Sequence, residues 1–486
     1  MKRTGILLPV SSLPSDHGCG DLGKYAYEFL DLLSDSGITI WQILPLNPMG
    51  YGNSPYQPYS SFAGDEIYIS LEVLREEGLL KEVCPPYREC ASSVDYEAVR
   101  AYKEPYYRQA FLCFGETDEY REFASQPWVL DYGVFRAFKK INEGRCWNEW
   151  PDEQKTWPEQ RTLNLEPFME EIRYQMFLQY LFFRQWMEVR RYAAERGILI
   201  MGDVPFYVGL DSQDVWAGKK NFLLKEDGTP SFIAGVPPDY FSATGQRWGN
   251  PVYDWDHLKA DEYRFWVDRI GYNSRLFDLI RIDHFRAFDT FWKIPVTCPT
   301  AVEGEWIEAP GYEALDTILR EVPDAGLVAE DLGELRPEVT VLKEHYGFKG
   351  MKILQFTLYS DGKYVKDHFK DQENMIIYTG THDNTTLRAW YEEQSVAGRR
   401  KLRRFLAEQG FRQGSVMQRL MEYTLNSPAE YAVLPMADVL ELDAGGRLNS
   451  PGTVGSPNWE WKLTDFAEAG RRMRWVRRQV EKHRQS

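Results

Sequence analysis

Four acidic residues stand at or directly after the ends of short apolar segments in this chain of 486 residues. Asp203, Asp283, Glu330 and Asp383 occur in the strings GDVP, RIDH, AEDLG and THDN. A single aspartate after a strand is usually a helix cap or a turn residue. Four carboxylates that converge at one end of a sheet repel one another, and this cost is typical of a site that uses them. The spacing therefore indicates an active site built from carboxylates.

Other chemistries have weaker support. Only His284 and His382 of the seven histidines adjoin the acidic strings, so a hydrolytic metal centre is an alternative with few ligands, and we expect no metal and no cofactor. The string GCGDLG at 18–23 matches a dinucleotide-binding pattern, but it starts well past the end of the first apolar segment, which favours a chance loop match. The sequence has no GxxxxGK[ST] pattern and no G-x-S-x-G nucleophile elbow.

Chemistry at a glycosidic bond fits these residues better. It needs one carboxylate as nucleophile or base and one carboxylic acid that protonates the leaving oxygen. Arg281 and Asp283 are two residues apart in a predicted strand and point to the same side, where the arginine is expected to keep the aspartate ionised and oriented. Glu330 follows the next strand and is the candidate acid if burial or Asp383 raises its pKa. The alternative stays open that these are a structural ion pair and a residue at a helix N-terminus.

Eight short apolar segments end abruptly in polar loops, and most of them lack alternation, which is typical of strands buried on both faces of a parallel sheet. They are Thr4–Val10, Ile38–Leu46, Ile198–Val204, Leu279–Asp283, Gly326–Ala329, Met351–Phe356, Met375–Tyr378 and Ala432–Met436. With segments of helical period between them, they predict an α/β fold, the (β/α)8 TIM barrel. In such barrels the active site lies at the carboxyl ends of the strands, where the acidic strings stand.

We expect residues 1–486 to form a single catalytic barrel domain with two insertions. The first, at about 65–195, is predicted to be a helix-rich subdomain inserted after the second strand. The second, at 205–278, is predicted to be a long, loop-rich insertion at the C-terminal face that covers the active-site cleft. Long loops in a compact enzyme are usually functional, and the aromatic residues of this one argue against disorder.

Composition limits the classes of partner. The formal net charge is −16 and the sequence pI is near 5.1, whereas nucleic-acid-binding proteins carry a basic footprint. No stretch reaches the ~18 apolar residues of a membrane span, and Pro9 ends the first apolar run too early for a signal peptide. We therefore expect a cytoplasmic protein that binds neither nucleic acid nor membrane. Its aromatic content of 15% favours a ligand with flat, weakly polar faces, such as a sugar.

Several long strings, in order along the chain, carry a resemblance to a known family. They are GILLPVSSLPS, WQILPLNPMGYGNSPYQPYSSFAG, GDVPFYVGLDSQDVW, GVPPDYFSATGQRWGNPVYDW, RIDHFR, VAEDLG, KGMKILQF, GTHDN and RLNSPGT followed by NWEW. GVPPDYFS followed by GQRWGNP is highly specific, whereas RIDH or THD alone is shared with the wider α-amylase clan. On these strings the chain resembles the 4-α-glucanotransferases of glycoside hydrolase family 77, from Gly5 to about Leu463.

The resemblance implies a retaining mechanism on α-1,4-glucans and maltooligosaccharides. It implies that Asp283 is the nucleophile, that Glu330 is the general acid and then the base, and that Asp383 stabilises the transition state. The substrate-binding residues that it implies are Tyr56, Ser54, Asp203, Gln246, Trp248, Arg281, His284, His382 and Asn458. Tyr51 resembles a residue of a second, remote glucan site.

The sequence thus predicts transfer of an α-1,4-glucan segment to the 4-hydroxyl of an acceptor sugar through a covalent glucosyl-enzyme. An α-amylase-type hydrolase is an alternative, because it has the same carboxylates but gives water free access. A glucan-binding protein with an inactive site is a second alternative, which the intact set of three carboxylates argues against. We expect the apolar loop Gly235–Phe241, with Trp248, to cover the cleft and to favour the acceptor over water.

Overall fold

Eight parallel strands form the central sheet of the protein. The computed structural model describes residues 2–82, 84–87, 92–238, 242–333, 335–360, 363–364 and 373–485. The strands are β1 (Arg3–Leu7), β2 (Ile40–Gln42), β3 (Leu199–Pro205), β4 (Leu279–Asp283), β5 (Leu327–Ala329), β6 (Gly350–Ile353), β7 (Met375–Tyr378) and β8 (Tyr431–Pro435). Their order in the sheet is β6-β7-β8-β1-β2-β3-β4-β5. The Ala329 amide donates to the Lys349 carbonyl at 2.9 Å and brings β5 beside β6, so the predicted (β/α)8 barrel is confirmed.

The strands are shorter than the apolar segments that predicted them. The segment Ile38–Leu46 contains a strand only over Ile40–Gln42, and the segment Met351–Phe356 changes from strand to the helix Leu354–Leu358. Both parts of the second segment are buried, except Lys352, which is half-buried, and Phe356, which is 45% exposed. A continuous apolar run does not distinguish a buried strand from a buried helix, and this explains the difference.

Helices surround the barrel and fill the connection between β2 and β3. The outer helices are Lys24–Asp35, Met169–Glu195, Arg264–Leu276, Gly311–Glu321, Pro337–His345, Val416–Leu425 and Ala467–Gln485. The connection between β2 and β3 also holds Leu71–Glu76, Tyr96–Cys113, Asp118–Ala124, Pro127–Ile141, Asp152–Lys155 and Trp157–Gln160. The remaining helices are Gln213–Ala217, Trp255–Ala260, Leu354–Leu358, Leu387–Glu393, Val396–Glu408 and Met436–Val439. The boundaries 65–195 for an inserted subdomain stay a prediction.

The helices after β2 are tied to the loop that carries the first predicted site residues. Arg100 donates to both carboxylate oxygens of the buried Asp65, at 2.8 and 2.6 Å. Asp65 also accepts the Met49 amide at 2.9 Å, and Met49 is bridged to Pro58. A buried carboxylate that is paired and hydrogen-bonded in this way fixes the backbone around it. The segment between Met49 and Pro58 is therefore anchored to the helical layer at both of its ends.

A second, antiparallel sheet of four strands stands in the connections that follow β3 and β4. Its strands, in spatial order, are Gln246–Pro251, Phe232–Val236, Thr290–Pro295 and Glu305–Glu308. The range 205–278 was predicted to be loop-rich, but it holds two strands of the sheet and the helices Gln213–Ala217, Trp255–Ala260 and Arg264–Leu276. Glycine is depleted in strands, and the sequence did not predict these two strands because they contain Gly235 and Gly249. Residues 239–241 of the expected covering loop lie outside the described residues.

In the described part of the chain, no helix combines the length and the apolar character that crossing a bilayer requires.

Close packing behind β3 generates a stability prediction. A methyl group on Gly202, the residue before Asp203, would overlap the buried ring of Phe277. Gly202→Ala is therefore expected to destabilise the fold by about 1–3 kcal/mol, the usual cost of overpacking a core. Differential scanning calorimetry should show a lower Tm.

Gly470→Ala is the matched control, because this glycine lies inside the helix Ala467–Gln485 and a methyl group there meets nothing within 4 Å. Alanine in a helix interior is better than glycine by about 1 kcal/mol, so Tm should stay equal or rise. Equal Tm values for wild type and Gly202→Ala would contradict the close packing of β3.

Candidate active site

One buried arginine joins the ends of β3 and β4. Asp203 and Arg281 are register partners in these two parallel strands. The Arg281 Nη1 atom lies 2.7 Å from each carboxylate oxygen of Asp203 and 2.9 Å from Oδ1 of Asp283. Arg281 is only 4% exposed, and burial opposes its charge, yet the charges of the two aspartates raise its pKa well above the ordinary value. The guanidinium therefore stays charged and holds both carboxylates in place.

The environment of Asp283 differs from the sequence-based expectation in one respect. The Arg281 charge lowers the pKa of this carboxyl, as expected, but burial and the neighbouring charge of Asp203 outweigh it and raise the pKa above the ordinary value of 3.8. The ion pair orients Asp283 without making it a strong acid. A carboxylate of raised pKa is also the more basic one, and basicity favours nucleophilic attack.

Glu330, directly after β5, is held beside Asp283 by backbone donors. Its Oε2 accepts the amide of His284, the residue after Asp283, at 2.7 Å, and its Oε1 accepts the Leu332 amide at 2.9 Å. Burial raises the pKa of Glu330 to about 7; the Asp283 charge adds to this shift, and Arg281 and the two amides oppose it. At neutral pH this carboxyl therefore exists in both protonation states, which is the property of a group that donates and then accepts a proton.

Asp383, after β7, has the opposite character. Its Oδ2 lies 3.4 Å from Nε2 of His382, and its Oδ1 accepts the side-chain amide of Asn449 at 2.7 Å. Burial opposes ionisation, but the His382 charge and the hydrogen bonds from His382 and Asn449 outweigh burial and lower the pKa to about 2. Arg447 Nη2 donates to the Asp383 carbonyl at 2.8 Å and fixes the backbone. Asp383 is therefore ionised throughout the physiological range.

Tyr56 joins the end of β3 to the end of β7. Its hydroxyl donates to Oδ2 of Asp203 at 2.8 Å and lies 3.4 Å from Nδ1 of His382. Its ring stacks on that of His382, with centroids 5.0 Å apart and planes 19° apart, and Trp459 lies 5.7 Å away. One network thus connects predicted residues from the ends of β3, β4 and β7. Glu330, after β5, is linked to it through the amide of His284, directly after β4.

An aromatic group borders the backbone clamp on Glu330. The ring of Trp248 meets that of His284 edge to face at 4.9 Å, and its Nε1 donates to Oε1 of Gln246 at 3.2 Å. Burial, followed by the charge of Arg286, lowers the pKa of His284 to about 3, so its ring is neutral at pH 7. Its buried Nε2 has no hydrogen-bond partner within the described ranges. A neutral ring with an unused nitrogen can exchange a hydrogen bond with a ligand hydroxyl.

Three predicted residues lie at the margin of this network. Ser54 accepts the Tyr56 amide at 3.3 Å and so supports that loop. Asn458 uses its side chain inside its own loop, where it accepts the Ser450 amide and donates to Thr453, each at 2.9 Å. Tyr51 is 78% exposed and makes no contact with the four carboxylates in the described structure.

Sequence reasoning missed Asn449 and Arg447. Both stand in the string RLNSPGT, which carried part of the resemblance but received no role; the only role in this region was given to Asn458 of NWEW. Nothing in residue spacing shows that this loop returns to Asp383, because Asn449 stands 66 positions after it in the chain. The described residues contain no group of three or more His, Cys, Asp or Glu side chains arranged to hold a metal ion.

Comparisons with known proteins find relatives that match almost the whole length of the chain. The chain matches a family model described as 4-alpha-glucanotransferase over residues 8–467. It is 42% identical over 481 residues to the 4-alpha-glucanotransferase of Synechocystis sp., which covers 94% of this chain and 93% of the relative, and 41% identical to that of Thermus thermophilus, which covers 94% of each. The solved structure of an amylomaltase from Streptococcus agalactiae in complex with acarbose aligns with a TM-score of 0.93 at 32% identity, over 100% of this chain and 99% of that one.

The contact between Asn449 and Asp383 generates a titration prediction. Asn449→Ala removes one of the hydrogen bonds that lower the pKa of Asp383, so this pKa is expected to rise from about 2 toward the ordinary value of 3.8. Carbon-13 NMR titration of aspartate-labelled protein measures the shift, and an Asp383→Asn variant assigns the signal. Asn458→Ala, in the same loop but without a contact to Asp383, should leave the titration unchanged. Equal titrations for both alanine variants would contradict the role of Asn449.

Proposed function

The chain belongs to the family of 4-alpha-glucanotransferases, glycoside hydrolase family 77, and we propose that the carboxylates at its strand ends transfer α-1,4-glucan segments between maltooligosaccharides. The proposal assigns the nucleophile to Asp283, the acid and base to Glu330, and transition-state stabilisation to Asp383. The observation that carries it is the unequal pair at the end of β4 and β5. Asp283 is oriented by Arg281. Glu330, whose pKa is about 7, accepts the backbone amide of His284, the residue that follows Asp283.

In the first step, the Asp283 carboxylate attacks the anomeric carbon while Glu330 gives its proton to the glycosidic oxygen. The bond from the anomeric carbon to that oxygen breaks, and the shortened glucan leaves with the proton. A retaining enzyme needs its two carboxyl groups about 5–5.5 Å apart, because the nucleophile must touch the carbon directly. The hydrogen bond between Glu330 and the amide that follows Asp283 supports such closeness.

In the second step, Glu330, now a carboxylate, accepts the proton of an acceptor 4-hydroxyl while the oxygen of that hydroxyl attacks the anomeric carbon. The ester bond to Asp283 breaks, and the configuration at that carbon is retained after two inversions. In both steps the sugar ring becomes positively charged. Asp383, whose pKa is about 2, supplies a permanent negative charge that favours this state.

The remaining predicted residues are proposed to bind the donor and acceptor sugars. Hydrogen-bonding side chains for the donor sugar are Asp203, Arg281, His284, His382, Tyr56 and, beside it, Ser54. Gln246, Trp248 and Asn458 are proposed as further subsite residues, although the Asn458 bonds within its own loop favour an indirect contribution. Tyr51, at 78% exposure, is proposed for a remote glucan site.

Maltotriose as the sole sugar tests this function. A transferase is expected to yield glucose together with maltooligosaccharides longer than maltotriose, at a constant total of reducing ends, because each bond broken is replaced by another. Chromatography of the product ladder and a reducing-end assay measure both quantities. Asp283→Asn is expected to abolish the ladder, because the amide cannot form the glycosyl ester.

Other outcomes select the alternatives. Rising reducing ends with only shorter products would make the protein an α-amylase-type hydrolase, and no reaction in any condition would favour a glucan-binding protein. Full activity of Asp283→Asn would contradict the assignment of the nucleophile.

The raised pKa of Glu330 generates a pH prediction. The acid must be protonated in the free enzyme, so kcat/KM for maltotriose is expected to fall as pH rises through about 7, approaching tenfold per pH unit above it. Steady-state kinetics between pH 5 and pH 9 measure this alkaline limb. A glycosyl fluoride donor is the control, because fluoride leaves without protonation. With α-maltotriosyl fluoride the limb should weaken or vanish, and an identical limb for both donors would exclude Glu330 as its source.

A further inference from the structure

The helix Val396–Glu408 presents a cluster of basic side chains to solvent, with one acidic residue, the exposed Glu408, on the same side. Its buried side is apolar: Leu402, Phe405 and Leu406 are each at most 3% exposed, and the Phe405 ring packs 5.3 Å from that of Tyr423 on the helix Val416–Leu425. The opposite side carries five cations, which we call the basic face: Arg399, Arg400, Lys401, Arg403 and Arg404. All of them are exposed except Arg399, which is half-buried. The apolar anchor therefore fixes the direction in which the charges point.

No member of the basic face forms an ion pair with the described residues. Exposed arginines on other helices behave differently. Arg191, Arg388, Arg471 and Arg477 each lie within 3 Å of a glutamate three or four residues away. This contrast distinguishes the basic face from an ordinary solvated helix surface, where opposite charges alternate.

The arrangement costs stability within the fold. Arg399 and Arg403, and likewise Arg400 and Arg404, are four residues apart, and like charges at this spacing repel by roughly 0.2–0.5 kcal/mol per pair. Arg399 stands in the first turn of the helix, where the helix dipole also disfavours positive charge. Both costs become gains when an anion binds, because the anion relieves the repulsion and arginine forks match phosphate oxygens.

The charge of the rest of the chain restricts the anion. The formal net charge of −16 already includes these five cations, so the remainder of the protein is still more negative. A uniformly anionic partner, such as nucleic acid or an acidic membrane, would meet repulsion everywhere beyond the basic face. A largely neutral polymer with sparse phosphate groups would not. A glucan that carries occasional phosphate monoesters has this character and is also a substrate of the proposed reaction.

We propose that the basic face binds phosphate monoesters on an α-1,4-glucan polysaccharide and so holds the polymer on the enzyme. This inference rests on the proposed function, since the bound polymer is its donor. Val396–Glu408 follows Asp383 in the chain with only the helix Leu387–Glu393 between them. A polysaccharide is long enough to occupy the basic face and the catalytic cleft together, whereas maltotriose is not. Tethering raises the local concentration of donor ends and lowers KM while leaving kcat unchanged.

The test compares one polysaccharide with and without its phosphate. The donor is an α-1,4-glucan that bears glucose 6-phosphate residues, and the matched donor is the same sample after phosphatase treatment. For wild-type enzyme at low salt, KM for the phosphorylated donor is expected to be about tenfold lower, because the phosphate gains one or two charge-assisted contacts. The difference should disappear at 0.5 M salt, where charges are screened over about 4–5 Å. The fourfold variant R399Q/R400Q/R403Q/R404Q should show no preference at any salt concentration.

Two controls separate this inference from its alternatives. R471Q/R474Q/R477Q/R478Q removes the same charge from another exposed helix and should retain the wild-type preference. The kinetic constants for maltotriose should be equal for all three proteins. If none of them converts maltotriose, the proposed function is refuted rather than the role of the basic face. Equal KM values of wild type for the two polysaccharide donors would overturn the inference. A second result would also overturn it: wild-type enzyme shows no glucan preference but binds DNA or phosphatidylserine vesicles, or forms a dimer in sedimentation. That binding or dimer would have to be lost in R399Q/R400Q/R403Q/R404Q and kept in the control variant.

Discussion

A single buried guanidinium makes the carboxylate-rich mouth of this barrel compatible with a stable fold. Arg281 lies within 3 Å of Asp203 and Asp283, and its charge also lowers the pKa of Glu330. Without it, three acidic groups would meet in a region of low polarity, where an unpaired charge costs several kcal/mol. Tyr56 extends the same network to the end of β7 through Asp203. The parallel register of β3 and β4 is what places this guanidinium between its partners.

The site separates Glu330 and Asp383 in acidity, although both carboxyl groups are half-buried and loss of solvent raises the pKa of each. Asp383, with a pKa of about 2, receives hydrogen bonds from His382 and Asn449 and stays charged. Glu330, with a pKa of about 7, receives only two backbone amides, which do not offset its burial. Each carboxyl has two donors, so the charge of its neighbours and the kind of donor, rather than the number of donors, decide which carboxyl retains a proton. This division lets one mouth contain both a permanent charge and a proton carrier at neutral pH.

The sequence predicted the barrel because buried parallel strands are apolar without interruption, and this signal is local. It also located the residues at the strand ends, since a barrel brings these ends to one rim. It did not predict the four-stranded sheet, whose short strands contain Gly235 and Gly249 and resemble loops. Nor did it find Asn449, because its contact with Asp383 depends on how a distant loop folds back. Contacts between loops are set by tertiary packing, which residue spacing does not encode.

This difference also separates what the barrel determines from what the loops determine. Strand ends fix Asp283, Glu330 and Asp383, and these groups serve hydrolysis and transfer equally well. The choice between water and a sugar hydroxyl depends on how long the covalent intermediate is shielded and how firmly an acceptor is held. Trp248 lies on the four-stranded sheet and meets His284, the residue whose amide clamps Glu330. The sheet therefore contacts Glu330 through His284, and an acceptor sugar bound at Trp248, as proposed, would lie near the carboxyl group that is proposed to take its proton.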